Sequence, residues 1–257
     1  MQTILPHDLD LLEKLIAIAR DAGDIILSVY ATEFAVHTKA NSSPVTVADE
    51  RAEALILAAL AKLTPEIPVI AEEAVAAGNI PNFDKNFWLV DALDGTREFI
   101  NRNGEFTVNI ALIENEKPVL GVVFAPALGR LFTGQVGQGA FQQQGWEQRT
   151  IHCRPLPEDG LTVVASRSHN DACALEALLS GRKVAAIKTA GSSLKFCLVA
   201  SGEADMYPRW GRTMEWDTAA GHAVLLAAGG RVVDVAGKPL VYGKPGFTNP
   251  YFIASGV

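Results

Sequence analysis

The three cysteines of this 257-residue chain, Cys153, Cys173 and Cys197, are widely spaced, odd in number and form no metal-binding pattern. They are expected to be reduced thiols of a cytoplasmic protein. No apolar run reaches the ~18 residues of a membrane-spanning helix. The first ten residues hold no basic segment followed by an apolar one, so no signal peptide is expected. Peripheral association with the inner face of a membrane stays open. Basic residues are in deficit, with 22 Lys and Arg against 29 Asp and Glu for a formal net charge of −7. That argues against general nucleic-acid binding, which needs a basic stripe. There is no internal repeat and no low-complexity tract. What is present is a globular balance, 49% hydrophobic and 20% charged, which supports a sizeable core. The length suits one large domain or two small ones, and either a monomer or a homodimer.

The pattern along the chain changes midway. Asp8 can cap a first helix carrying Leu9, Leu12, Leu15, Ile16, Ala19, Ile26 and Val29. A second helix is expected from about Val47 to Leu63, stopping before Pro65. Strands follow near 68–71 and 87–91. Further strands are expected at 106–114, 118–125, 130–136 and 139–152, broken by turn chemistry at Asn115-Glu116-Lys117, Ala127-Leu128-Gly129 and Gly137-Gln138-Gly139. This spacing predicts an antiparallel meander. Beyond a linker at Cys153–Gly160, strands near 161–166, 183–188 and 204–209 alternate with helices near 170–180, 192–201 and 217–228. Strands at 231–235 and 251–254 close the chain. The alternation predicts an α/β half. The chain thus divides into an N-terminal α+β half, 1–153, and a C-terminal α/β half, 154–257.

The richest stretch is Trp88-Leu-Val-Asp91-Ala-Leu-Asp94-Gly95-Thr96-Arg97-Glu98-Phe99. An apolar run delivers two carboxylates to a tight loop, which suits a hard cation wanting oxygen ligands. Backbone N–H groups around Asp94-Gly95-Thr96 could hold an anion. The same residues equally suit a strand, an Asx turn and a helix cap. Other acids stand at element boundaries: Asp49 where a loop enters a helix, Glu72 and Glu73 after the apolar run 67–71, and Asp217 at a helix start. A solvated helix face would instead space its carboxylates at i and i+4. Boundaries are where sites are built.

These motifs, with Arg102-Asn-Gly-Glu-Phe-Thr-Val-Asn109-Ile-Ala-Leu112, Gly191-Ser-Ser-Leu-Lys195 through Asp205, and Met214-Glu-Trp-Asp217-Thr-Ala-Ala-Gly221, resemble the inositol monophosphatase superfamily over about 9–253. The likeness is greatest to its 3'(2'),5'-bisphosphate nucleotidase branch. The resemblance implies a layered α/β/α/β/α sandwich of mixed α/β class, with the site between the halves. It implies a lithium-sensitive, magnesium-dependent phosphomonoesterase of sulfur-assimilation nucleotide recycling, acting on a nucleotide bisphosphate such as 3'-phosphoadenosine 5'-phosphate. By the same likeness Glu72, Asp91, the Leu93 carbonyl, Asp94 and Asp217 would hold two or three Mg²⁺ ions. Asp49 and Thr96 would relay to the attacking water, which Glu72 also positions. Gly95 and Thr96 N–H groups would hold the scissile phosphate. Ser192, Lys195 and Arg209 would contact the phosphate that is kept, and His169 and Glu215 would line the ribose side.

Each residue has a plainer use. Asp49, Thr96 and Asp217 could be helix-terminal groups alone, Arg209 a surface strand residue, His169 a neighbour of a helix cap, and Lys39 a solvated lysine. Three positions depart from the branch pattern. Ala92 replaces a usual proline and Asn41 a common aspartate. Arg212 stands where nucleotidases often carry proline, and it would put a cation near Glu215. Two rival functions remain at this level: an inositol or other sugar phosphatase, and a non-catalytic metal- or phosphate-binding regulator.

Overall fold

The computed structural model describes residues 9–38, 44–166 and 172–256. Two long helices, α1 (Leu9–Tyr30) and α2 (Val47–Leu63), pack side by side. A two-stranded ribbon, β1 (Val36–Thr38) and β2 (Pro44–Thr46), lies between them in the chain. Then come β3 (Val69–Ala71), the short α3 (Glu72–Ala76), β4 (Asn86–Asp94) and the short α4 (Thr96–Ile100). The expected meander follows as β5 (Thr107–Glu114), β6 (Lys117–Ala125), β7 (Arg130–Gln135), β8 (Gly139–Gln144) and β9 (Glu147–Ile151). Residues 139–152 were expected to form one strand. They form two, because the chain turns at Gly145-Trp146, where Gly145 takes a left-handed φ of 59°.

The remaining elements are β10 (Leu161–Ser166), α5 (Ala172–Leu179), β11 (Val184–Ala190), α6 (Leu194–Ala200), β12 (Met206–Arg209), α7 (Glu215–Ala227), β13 (Arg231–Asp234) and β14 (Phe252–Ser255). Strands β3 to β9 form a seven-stranded sheet in chain order, antiparallel except for the parallel β3–β4 pair. The others form a five-stranded mixed sheet ordered β11-β10-β12-β14-β13.

The layers follow from which faces are apolar. The α1 and α2 stripes, including Leu15, Ala19, Ile26, Ile56 and Leu60, bury against Trp88, Val90, Ile110 and Val122 of the large sheet. On the sheet's other face Phe87, Leu89, Val123 and Phe132 share a core with α6, α7 and the inner face of the small sheet, through Val164, Tyr207 and Phe252. Leu175, Leu178 and Leu179 of α5 pack on Leu161, Val163 and Met206 outside it. The order is therefore α1/α2, large sheet, α6/α7, small sheet, α5: the α/β/α/β/α sandwich. Helix α7 is central, which explains its small face. A Cβ on Gly121 would lie 2.4 Å from the Ala220 carbonyl oxygen, so this glycine lets β6 and α7 approach closely. No helix among the described residues is long and apolar enough to cross a membrane.

Candidate active site

The site begins with an irregularity in β4. Asp91 pairs with Asn109 of β5, but Asp94 pairs with Thr107, so three steps on one strand oppose two on the other. Residues three apart on a regular strand face opposite ways. The extra residue of this β-bulge resets the alternation and turns both carboxylates to one side. The Asp91 carboxylate accepts the Leu93 N–H at 3.0 Å, which ties the bulge together. Gly95 then adopts a left-handed φ of 91°, which lets the chain turn directly into α4.

Other elements bring further acids to this point. Glu72 opens α3 at the end of β3, and Asp217 sits in the first turn of α7. One carboxylate oxygen from each of Glu72, Asp91 and Asp217 lies within 4.8 Å of the other two. Asp94 joins them across the cleft wall, accepting the Ser193 N–H at 2.6 Å and the Asn109 side-chain amide at 3.4 Å. Burial pushes the Asp94 carboxyl up to about 6, with Glu98 and Glu72 adding to the rise and Lys195 opposing it. Asp217 is driven well above the ordinary carboxylate range, first by burial and then by Asp94 and Glu72. Desolvation and neighbouring carboxylates raise the proton affinity of Asp94 and Asp217, and the donor set of the cluster is oxygen alone. A hard divalent cation would relieve both the repulsion and the desolvation, so these residues fit such an ion.

Beside the cluster, the Thr96 hydroxyl donates to Asp49 at 3.2 Å, with the Leu93 carbonyl 3.4 Å away as a second acceptor. Asp49 is only 3% exposed, and its other oxygen accepts the N–H and hydroxyl of Thr46, both at 2.8 Å. It therefore completes the capping box of α2, whose N-cap is Thr46, and also holds Thr96. Asp217 is likewise double-edged: it accepts the Met214 N–H at 2.8 Å, as a helix-terminal acid does, and lines the cleft.

The far end of the cleft is cationic. Lys195 is buried, with its ammonium donating to the carbonyls of Ala190 at 3.3 Å and Ser192 at 2.5 Å. Burial lowers it to about 8, and Asp94 opposes that fall. Arg209 is also buried rather than on the surface. It donates to the Ser166 hydroxyl at 2.8 Å and to the carbonyls of Gly211 and Arg212 at 3.3 and 3.0 Å. Glu72, Asp94, Gly95, Thr96, Ser192, Lys195, Arg209 and Asp217 all line one cleft of about 210 Å³. Asp91 and Leu93 lie buried behind it, and Glu73 is not among its lining residues.

One expectation needs correcting. Glu215 does not line the cleft. It is fully buried, accepts the N–H groups of Gly243 and Lys244 at 2.7 and 2.9 Å, and pairs with the Lys244 ammonium at 2.6 Å. It anchors the 243–244 loop, and Lys244, not Arg212, is its cation. His169, Lys39 and Asn41 lie outside the described residues.

Several supporting groups were not picked out individually from the sequence. Glu105 accepts the Gly191 N–H at 2.8 Å. Ser193 donates its hydroxyl to Asn109 at 2.7 Å and lies 2.9 Å from the Thr107 hydroxyl. A Cβ on Gly191 would come within 2.6 Å of the Glu105 carbonyl oxygen and 2.7 Å of a Glu98 side-chain carbon, so the loop can seat itself only with glycine there. The available signal was the polar alternation of Thr107 and Asn109 between Phe106, Val108 and Ile110.

An oxygen-only acid cluster beside a hydroxyl–carboxylate pair and a cationic wall has the make-up of a metal-assisted phosphatase. The comparisons agree. The inositol monophosphatase family model matches residues 8–251, and the chain belongs to this family, whose members are metal-dependent phosphatases. It is 47% identical over 250 residues to the 3'(2'),5'-bisphosphate nucleotidase CysQ of Escherichia coli O157:H7, covering 95% of this chain and 99% of that one. It is 48% identical over 247 residues to the CysQ of Salmonella typhimurium, covering 94% and 98%. The crystal structure of CysQ from Bacteroides thetaiotaomicron, 37% identical, superposes with a TM-score of 0.82 over 97% of this chain and 98% of that one. An IMPase from Thermotoga maritima, 26% identical, gives 0.78 over 96% and 92%.

Proposed function

We propose that the chain is a magnesium-dependent 3'(2'),5'-bisphosphate nucleotidase that hydrolyses 3'-phosphoadenosine 5'-phosphate to AMP and inorganic phosphate. The observation that carries this reading is the two-ended cleft, with a carboxylate cluster at one end and buried cations at the other. The similarity to proteins named for this activity supports it.

Glu72, Asp91, the Leu93 carbonyl, Asp94 and Asp217 would hold two or three Mg²⁺ ions. When bound, such ions would supply charge neutralisation for the phosphoryl oxygens and a lowered pKa for the attacking water. The chain's own groups do the rest. Because the Thr96 proton is given to Asp49, the Thr96 oxygen keeps lone pairs that accept a hydrogen bond from the attacking water and orient it. Asp49 is itself fixed by Thr46, so the pair costs little to organise when substrate arrives. Glu72 stands on the other side of that water. The Gly95 and Thr96 N–H groups hold the scissile phosphate. Ser192, Lys195 and Arg209 hold the phosphate that is kept; Lys195 has one of its three N–H donors left after Ala190 and Ser192.

The test is phosphate release from 3'-phosphoadenosine 5'-phosphate and from inositol 1-phosphate, each with magnesium and with chelator. Magnesium-dependent release with a clear preference for the nucleotide is expected. A preference for inositol 1-phosphate would overturn the substrate. Full activity after exhaustive chelation would overturn the metal. No release from either substrate would leave a binding protein.

A further inference from the structure

The cations of the cleft are not equivalent. Lys195 and Arg209 are buried and already give hydrogen bonds to protein oxygens. Arg212 lines the same cleft but is exposed, and its side chain has no hydrogen-bond or ion-pair partner among the described residues. The acid it was expected to sit beside, Glu215, is taken by Lys244. Yet its backbone is tightly held. The Gly211 and Arg212 carbonyls accept from Arg209, and the Thr213 carbonyl accepts the Asn249 N–H at 3.0 Å. A three-residue loop pinned on both sides thus presents, at the basic end of the cleft, a guanidinium that is uncommitted among the described residues. Arg97, the other exposed arginine of the lining, directly follows Thr96 and so belongs to the acidic end.

We infer that Arg212 is a specificity-determining residue: it adds a forked, two-point contact to the phosphate that is not cleaved, and so widens the margin by which this chain prefers a bisphosphate over a monophosphate. The inference rests on the nucleotidase reading above. A planar guanidinium matches two phosphate oxygens at once, and none of its donors must first be released from a partner among the described residues. Because the loop is fixed, little backbone freedom is lost when the phosphate docks. The contact is made equally in the bound substrate and the transition state, since its phosphate takes no part in bond breaking. It should therefore appear in KM and leave kcat almost unchanged.

The experiment compares adenosine 3',5'-bisphosphate with adenosine 3'-monophosphate on the unsubstituted protein, Arg212→Gln and Arg212→Lys, all with magnesium. Both substrates carry the same scissile group. For Arg212→Gln, KM for the bisphosphate should rise about five- to tenfold, a modest effect because the site is exposed. KM for the monophosphate should stay within about twofold by the same reasoning. Arg212→Lys should recover part of the loss, since it restores the charge but not the fork. If the unsubstituted protein prefers the bisphosphate and Arg212→Gln keeps that preference intact, the role given to Arg212 is wrong while the function stands. Equal losses on both substrates would mean that the residue supports the loop or the metal end, and would also overturn it. If the unsubstituted protein does not prefer the bisphosphate, the function itself fails and this inference falls with it.

Discussion

The two ends of the cleft bury charge in opposite ways. At the acidic end Glu72, Asp91, Asp94 and Asp217 crowd together, and burial plus mutual repulsion pushes Asp94 up to about 6 and Asp217 higher than the ordinary carboxylate range. At the basic end each buried cation is already positioned by protein oxygens, with donors to spare: Lys195 by two carbonyls, Arg209 by a hydroxyl and two carbonyls. The acidic end is therefore incomplete as a protein and complete only with cations. The basic end is preorganised without any ligand. On the proposed function, a site built this way would let one end generate the reaction and the other select what reacts. Asp94 is the hinge between them, since its carboxylate accepts the N–H of Ser193, whose neighbours Ser192 and Lys195 belong to the basic wall.

Breaking the acidic end should have the largest effect. Asp94→Asn keeps the shape and removes the anionic group that the proposed function assigns to the metal. Losing several kcal/mol of charge stabilisation should cost about a thousandfold in turnover, with the fold retained by circular dichroism. Retention of more than about a tenth of the activity, a loss under ~1.4 kcal/mol in the transition state, counts against the assignment.

Breaking the basic end should cost less and should depend on the substrate. If Lys195 holds the kept phosphate as proposed, Lys195→Ala should cost a charge-assisted contact of roughly 1.5–3 kcal/mol, or about ten- to a hundredfold in kcat/KM, for 3'-phosphoadenosine 5'-phosphate. A monophosphate should suffer much less. Equal losses on both would show that the ammonium serves the Ala190–Ser192 turn rather than the ligand.

The junction between the ends can be tested separately. Gly191→Ala forces a methyl group against the Glu105 carbonyl and Glu98, so the 191–193 turn must shift. A destabilisation of about 1–3 kcal/mol is expected from such overpacking. Thermal unfolding together with kcat would show whether both ends move as one; an unchanged melting temperature would mean that the turn yields freely.

How far the chain's residues announce these arrangements varies with distance along the sequence. Helices α1 and α2, the meander and the alternating second half were legible because periodicity and turn residues are local. The acids at element ends were legible for the same reason. The bulge in β4 was not, since Ala92 and Leu93 look like ordinary strand residues and only the pairing with β5 exposes the extra step. Ser193 meets Asn109 and Asp94 from 84 and 99 positions away, so no window of sequence holds that contact. Glu215 was misread for a geometric reason. It stands two residues before Asp217 on one helix, hence about 200° around it, and the two side chains cannot both face the cleft. The layer order came from family resemblance, because periodicity finds faces but not what covers them.

The smallest expected effect tests the asymmetry without changing a residue. In the metal-free protein Asp94 has a folded-state pKa of about 6 against an ordinary 3.8. Between those values the folded state holds more protons than the unfolded one, so stability falls as pH rises through roughly 4 to 6. Asp217, also raised, acts in the same direction. Bound magnesium requires the ionised carboxylates, so it competes with these protons, and its stabilisation should grow as pH rises. His222 complicates a single curve. It is buried against the Tyr242 hydroxyl at 2.9 Å, and burial lowers it to about 3, so it removes stability as pH falls below its ordinary 6.5. That loss occurs with or without metal and cancels in a difference. The quantity to measure is the gain in melting temperature on adding magnesium to chelated protein, taken at pH 7.5 and at pH 5. It should be a few degrees at the higher pH and close to zero at the lower one, about what one or two kcal/mol gives in a chain this size. A gain of equal size at both would mean that the acids are not what the cation meets.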